Sequence, residues 1–323
     1  MATTLSRRDR VRAATVTEIK DTARRILVAE GPDGLSLRAI AREMGMTAPA
    51  LYRYFPSRED LIGALIADLY DELTATISTA AGTAGDAAGR IAGAATRGAA
   101  GNPARGAAGD AAGGIAGAAT RGAAGNPARG TAGDAAGGID GAAARGAAGN
   151  LARGTARGVG GGAAAGETAG GDPRAGITAA SRAFRAWALA HPREFGLLFG
   201  SPIPGIDAHS DDSPAGLASE RFGQVFGDLV ARIYLASPFP VPAEDEMDPD
   251  LRRQLRDWCS ALPVELPVGA GQVFLSCWIR LYGMVALEVF GHVQFALPDA
   301  EPLFEAELRD LAVKLGFGRS TAP

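Results

Sequence analysis

Apolar residues recur along this chain at intervals of three and four, with no sustained alternation, so the pattern predicts helices rather than strands. Ile19, Ala23, Ile26 and Leu27 form one stripe over residues 15–30, led by a capping box of Thr15 and Glu18 and ended by Gly31. Leu37, Ile40, Ala41 and Met44 form a second stripe over 36–44, between Ser36 and Gly45. A third helix is predicted over 47–55, starting at Thr47, tolerating Pro49 in its first turn and closed by Pro56. Ser57 then caps a fourth, with Leu61, Leu65, Leu69, Leu73 and Ile77 on one side. After a long gap, Asp172 and Pro173 open a second series over 173–190, 193–199, 214–236, 249–262, 271–291 and 301–316. The predicted fold class is all-α.

The gap is where composition changes the picture. No aromatic residue occurs between Tyr70 and Phe184, although the chain has 12 Phe, 5 Tyr and 3 Trp. Residues 87–110, 111–134 and 135–158 are three near-identical copies of a 24-residue unit such as "AAGGIAGAATRGAAGNPARGTAGD". A solenoid needs several large apolar side chains per repeat, and each copy supplies essentially one: Ile91, Ile115 and Ile139. Glycine at this density also removes the helical advantage of alanine. Residues 82–171 therefore read as a low-complexity insertion, mostly disordered, between a connecting helix at 58–81 and a C-terminal domain at 172–317. The three copies carry eight Arg against three Asp, which admits non-specific contact with nucleic acid or plain repeat expansion in a tolerated loop.

Charge and cysteine usage narrow the classes. The net charge is −4, yet residues 1–60 hold eleven Arg and Lys against eight Asp and Glu. Residues 1–14 read as a flexible basic arm ahead of a helical unit at 15–57. Cys259 and Cys277 have no metal-ligand spacing and read as reduced core thiols. The opening "MATTLSRRDRVRAATVTEIK" has no apolar segment of a secretory signal. Apolar runs also fall short of the roughly 18–20 residues that span a bilayer. The expectation is a cytoplasmic protein with no membrane partner.

Two short helices joined by a tight turn at Gly45 have helix-turn-helix spacing, in which the second helix enters the DNA major groove. Placing Leu51 at zero and advancing about 100° per residue puts Ala48 and Phe55 on its face, at about 60° and 40°. Pro49 and Arg53 fall opposite, with Tyr52 and Tyr54 on the two shoulders. That arrangement aims Arg53 at base edges and the phenols at phosphates, while Thr47 and the first amides suit a phosphate.

The stretch "LSLRAIAREMGMTAPALYRYFPSREDLIGAL", residues 35–65, resembles the N-terminal domain of the tetracycline-repressor family of bacterial transcription regulators. The small turn residues, the LYxYF core and the following S-R-E-D-L carry the resemblance, which covers about residues 12–75. It implies DNA contacts by Arg38, Thr47, Ala48, Pro49, Tyr52, Arg53, Tyr54 and Arg58, with Leu51 and Phe55 in the core. "FRAWALAHPREFGLLFGSPIPG" and "CWIRLYGMVALEVFGH" resemble a C-terminal branch of the family, the WHG-type ligand-binding domain, which often has His where this chain has Tyr282. The resemblance implies a small apolar effector, for which Trp187, Phe199, Trp278 and Tyr282 are the candidate contacts. It also implies a homodimer through residues 271–291 and 301–316 on a palindromic double-stranded DNA operator. Glu288 sits in an apolar stripe, with a ligand, a dimer seam and a helix end all open as its surroundings.

Other classes find less support. His191, His209 and His292 are scattered, and no HExxH, GxSxG or GxxxxGK[ST] occurs, so no enzyme, metal or cofactor is expected. The competing reading is an interaction or structural protein whose Arg-containing repeat is the active part.

Overall fold

The computed structural model describes residues 6–99, 171–201, 203, 213–260, 262, 264 and 266–317, and every regular element among them is helical. Helix α1 spans Arg7–Glu30. Its cap is Ser6, whose Oγ accepts the Asp9 N–H at 3.2 Å while its hydroxyl donates to the Asp9 carboxylate at 2.7 Å. The expected cap at Thr15 is corrected: that hydroxyl donates to the Val11 carbonyl inside the helix. The first two turns hold four arginines and only one large apolar residue, the exposed Val11, so no apolar stripe announced them, and residues 7–14 are helix rather than a flexible arm. The remainder of the predicted arm, residues 1–5, lies outside the described residues.

Helix α2, Leu37–Glu43, is capped by Ser36, and Gly45 turns the chain at φ 65, a left-handed conformation that side chains disfavour. Helix α3 is short, Ala48–Tyr52, with Thr47 at its N-cap and Arg53 at its C-cap. It ends before the expected residue 55 because Phe55 precedes Pro56, whose ring disfavours the helical conformation there. Ile19, Leu27, Leu35, Ile40, Leu51, Leu61 and Ile62 meet in a fully buried aliphatic core, and Phe55 closes it from one side.

Helix α4 runs Arg58–Ala99, starting from a Ser57–Asp60 capping pair. Leu61, Leu65, Leu69, Leu73 and Ile77 are buried along it. It passes the expected end at residue 81, because Ala81 and Gly85 are still packed against the body. At Gly85 the chain meets its own return: the Asp172 N–H donates to the Gly85 carbonyl at 3.0 Å. A Cβ on Gly171 would stand 2.5 Å from the Gly85 carbonyl carbon, so only glycine permits this approach. The three repeats and the disorder expected of them fall outside the described residues, apart from the α4 residues up to Ala99.

The body follows as α5 (Pro173–Ala190), α6 (Pro192–Phe199), α7 (Pro214–Ala236), α8 (Pro249–Ser260), α9 (Val268–Val289) and α10 (Glu301–Lys314). Asp172 and Ser213 cap α5 and α7 through their side chains. Helix α4 lies along α5 and α7 and also touches α1 and α6, so one rod joins the N-terminal head to the body. Helix α9 is long and apolar enough for a membrane span, contrary to the expectation from apolar runs. Its Phe274, Cys277, Trp278, Leu281 and Val285 are buried against the other body helices, and Arg280 pairs with Glu307 on α10, so it is packed as a core helix.

Candidate nucleic-acid interface and effector seam

Helix α3 buries Leu51 in the head and presents its opposite face outward. Thr47, Pro49, Tyr52 and Arg53 are exposed, while Ala48 and Tyr54 are half-buried. Tyr52 stays 45% exposed on this five-residue helix. Arg38 is exposed on α2.

Tyr54 is held from the α1 side. The Arg12 guanidinium lies 5.1 Å from the ring centroid and also donates to the Arg53 carbonyl at 3.5 Å. Between α1 and the end of α3 lies an open hollow of about 630 Å³ lined by Arg7, Arg8, Val11, Arg12, Arg53 and Tyr54. The sequence reading missed Arg7, Arg8 and Arg12. The signal that reaches them is the S-R-R-D cap at residues 6–9, which makes their turns helical.

Arg58 is a correction. Its Nε donates to the Leu35 carbonyl at 2.8 Å and a terminal nitrogen donates to the Pro32 carbonyl at 2.6 Å. The side chain fastens the start of α4 to the turn before α2, instead of standing free for a phosphate.

In the body, Phe184 is fully buried, with Phe195, Phe199, Phe222, Phe226 and Trp278 at centroid distances of 5.8–6.4 Å. Of the four candidate effector contacts, Trp278 lines an apolar cavity between α5, α7, α9 and α10, and Trp187, Phe199 and Tyr282 do not. The cavity has a volume of about 40 Å³, and Ile177, Phe226, Phe274, Cys277 and Leu308 also line it. Phe199 is locked in the ring cluster, and the Tyr282 hydroxyl donates to the Phe199 carbonyl at 2.9 Å. Burial pushes the Tyr282 phenol above its usual pKa. Trp187 is buried elsewhere, stacked on His191 with its indole N–H donating to Glu72 at 2.9 Å. Helical periodicity showed that these rings face inward, but not whether a gap stays open between them.

Glu72 belongs to a junction between head and body. Arg24 of α1 donates to Glu72 of α4 at 2.6 Å and to the buried Glu194 of α6 at 3.2 Å. Burial pushes the Glu72 carboxyl up, but hydrogen bonds from Arg24 and Trp187 outweigh it and hold the group below its usual value. Glu288 also finds its place: both its oxygens accept from Arg185 at 2.7 Å, tying the end of α9 to α5. On the outer faces of α9 and α10, Ile279, Leu287, Leu303 and Val313 are exposed. Among the described residues, no group of three or more His, Cys, Asp or Glu is placed to hold a metal ion.

Comparison with known proteins adds to this geometry. A family model described as bacterial regulatory proteins of the tetR family matches residues 19–65. A model for a tetracyclin repressor-like C-terminal domain matches residues 177–311. The chain is 37% identical over 310 residues to the HTH-type transcriptional regulator Rv1816 of Mycobacterium tuberculosis, covering 92% of this chain and 91% of that protein. The same values hold for the HTH-type transcriptional regulator Mb1846 of Mycobacterium bovis. A solved structure described as that of a regulatory protein, SCO4313, superposes with a TM-score of 0.55 at 25% identity, covering 95% of this chain and 98% of that one.

Proposed function

The chain belongs to the tetR family of bacterial regulatory proteins and is a transcriptional regulator of that family, and on that premise we propose that it is a cytoplasmic repressor released from a palindromic operator by a small apolar effector. Two copies associate through the exposed apolar faces of α9 and α10, within residues 271–291 and 301–316. Their α3 helices then enter successive major grooves about one DNA turn apart. Arg53 takes a guanine edge, and Tyr52 and Tyr54 reach the backbone on either side. Thr47, Ala48 and Pro49 border the base edges at the helix start, and Arg38 meets a phosphate from α2.

The apolar seam behind Trp278 supports an uncharged effector. Its polar atoms are already satisfied inside α5: Ser181 donates to the Ile177 carbonyl at 2.8 Å and Thr178 to the Arg174 carbonyl at 3.0 Å. About 40 Å³ is far below the roughly 300–1,000 Å³ of a drug-sized site, so the effector wedges α5, α7, α9 and α10 apart as it binds. That movement reaches the head through α4 and the Arg24–Glu72–Trp187 junction. The effector thus favours a head spacing that fits DNA poorly, by binding that state more tightly. No catalytic step is assigned to any residue.

The observation that carries this reading is the outward Tyr52–Arg53 face of a helix whose other side is locked into the head. The test is selection of genomic fragments by the purified full chain. A short palindromic sequence should be enriched, and Arg53→Ala should reduce the enrichment and broaden the sequences recovered. Recovery of fragments with no common sequence would refute sequence-specific repression.

A further inference from the structure

Helix α1 begins with arginines that the body of the protein does not neutralise. Arg24, Arg25, Arg182, Arg185 and Arg221 each hold a carboxylate at 2.6–2.7 Å. Arg7, Arg8, Arg12 and Arg53 line one hollow, and none of them is paired with a carboxylate among the described residues. The carboxylate nearest in sequence, Asp9, is engaged by the hydroxyl of the N-cap residue Ser6. Four like charges around one space repel each other unless an anion enters it.

We infer that the first two turns of α1 are a second DNA-contacting element, in which Arg7, Arg8 and Arg12 grip the sugar–phosphate backbone beside the groove that α3 and Arg53 enter. This rests on the proposed docking of α3. The capping pair gives the element rigidity, so the arginines are presented in fixed positions instead of on a loose tail. Arg12 fixes its orientation to the reading helix, because it lies over Tyr54 and donates to the Arg53 carbonyl. The occupant is DNA because two of the lining residues, Arg53 and Tyr54, belong to the element already directed at DNA. An open hollow of about 630 Å³ suits a phosphodiester with its sugar and is too polar for the apolar effector. Arg10 supplies an internal control. It sits about 160° from Arg8 around the helix and does not line the hollow.

The experiment measures binding of the full chain to a labelled random-sequence duplex of about 30 base pairs over a KCl series, since phosphate contacts need no operator. Alanine keeps these turns helical, so Arg7→Ala/Arg8→Ala should fold as the parent does by circular dichroism. The slope of log K against log salt should become shallower by about 0.9 for each phosphate contact removed. Arg7→Lys/Arg8→Lys should retain the parent slope, and so should Arg10→Ala. The inference is overturned if the double alanine variant keeps the parent slope, or if Arg10→Ala changes it equally, since only net charge would then matter. Failure of the unaltered chain to bind any duplex at low salt would instead overturn the DNA-docking reading, and this inference with it.

Discussion

The head and the body of this chain close their cores with different side chains. In the head the core is mainly aliphatic, built from Ile19, Leu27, Ile40 and Leu51, while Tyr52 stands exposed and Tyr54 half-exposed. In the body Phe184, Phe195, Phe199, Phe222 and Trp278 are packed ring against ring out of water. The small unit closes mainly with branched aliphatics, with Phe55 buried at one side, and leaves Tyr52 at the surface. The larger unit fills its centre with rings and leaves Phe290, Phe295 and aliphatics such as Ile279 and Val313 outside, the last two on the faces proposed for a second copy. The lesson is that ring removal should harm folding in one region and recognition in the other.

The largest expected effect breaks or upholds this contrast directly. Phe184→Ala should lower the unfolding free energy by about 3–5 kcal/mol in urea titration, as removal of a fully buried ring does. A loss below about 1.5 kcal/mol would mean that the cluster is a slack ligand chamber, and the contrast would fail. Next, Arg53→Ala should weaken binding to the selected DNA sequence by about 1–3 kcal/mol and relax base preference. Tyr52→Ala should weaken binding to all duplexes alike, and both variants should melt within about 0.5 kcal/mol of the parent.

A smaller effect sharpens the boundary between the two regions. The folded state holds Glu72 below its ordinary pKa of 4.5. Its contribution is therefore complete above the unfolded value and is lost as pH falls through the folded one. The group is partly solvated, so the contribution is about 1 kcal/mol or less. The stability gap between the parent and Glu72→Gln should narrow as pH falls from 6 to 3; a constant gap would exclude this titration. The smallest effect concerns neither region. Excising residues 100–158 should leave a dimer that binds the same DNA and shifts stability by about 1 kcal/mol or less, as measured by thermal melting and gel filtration. Loss of a cooperative transition would show that the excised segment belongs to the body core.

Much of this arrangement was legible wherever a cap preceded an apolar stripe. Ser36, Ser57 and Asp172 were readable as helix starts, and Gly45 as the turn between α2 and α3. The opening of α1 was hidden because arginine-rich turns carry no stripe, and a later Thr-x-x-Glu offered a decoy cap. Exposure of Tyr52 and Arg53 follows from rotation about one short helix, so local periodicity reached it. The placement of Arg58 does not, because its partners, the Pro32 and Leu35 carbonyls, come together only when the turn before α2 folds against α4. Glu288 was ambiguous for the same reason, since Arg185 lies 103 residues away in sequence.

The clasp between Gly85 and Gly171 makes the number of repeats a nearly neutral variable. The Gly85 and Asp172 backbones are joined by one hydrogen bond, so the distance over which the intervening segment must close is set at the clasp. Adding one more 24-residue unit to the excursion changes the closure cost by only about 0.2 kcal/mol, because that cost grows with the logarithm of length. Slippage at the repetitive gene segment is therefore free to drift, and lineages carrying this regulator should differ in repeat copy number while keeping both clasp glycines. For the protein engineer the same point is a socket, where a reporter domain grafted in place of the repeats should leave operator binding unchanged in a gel-shift titration.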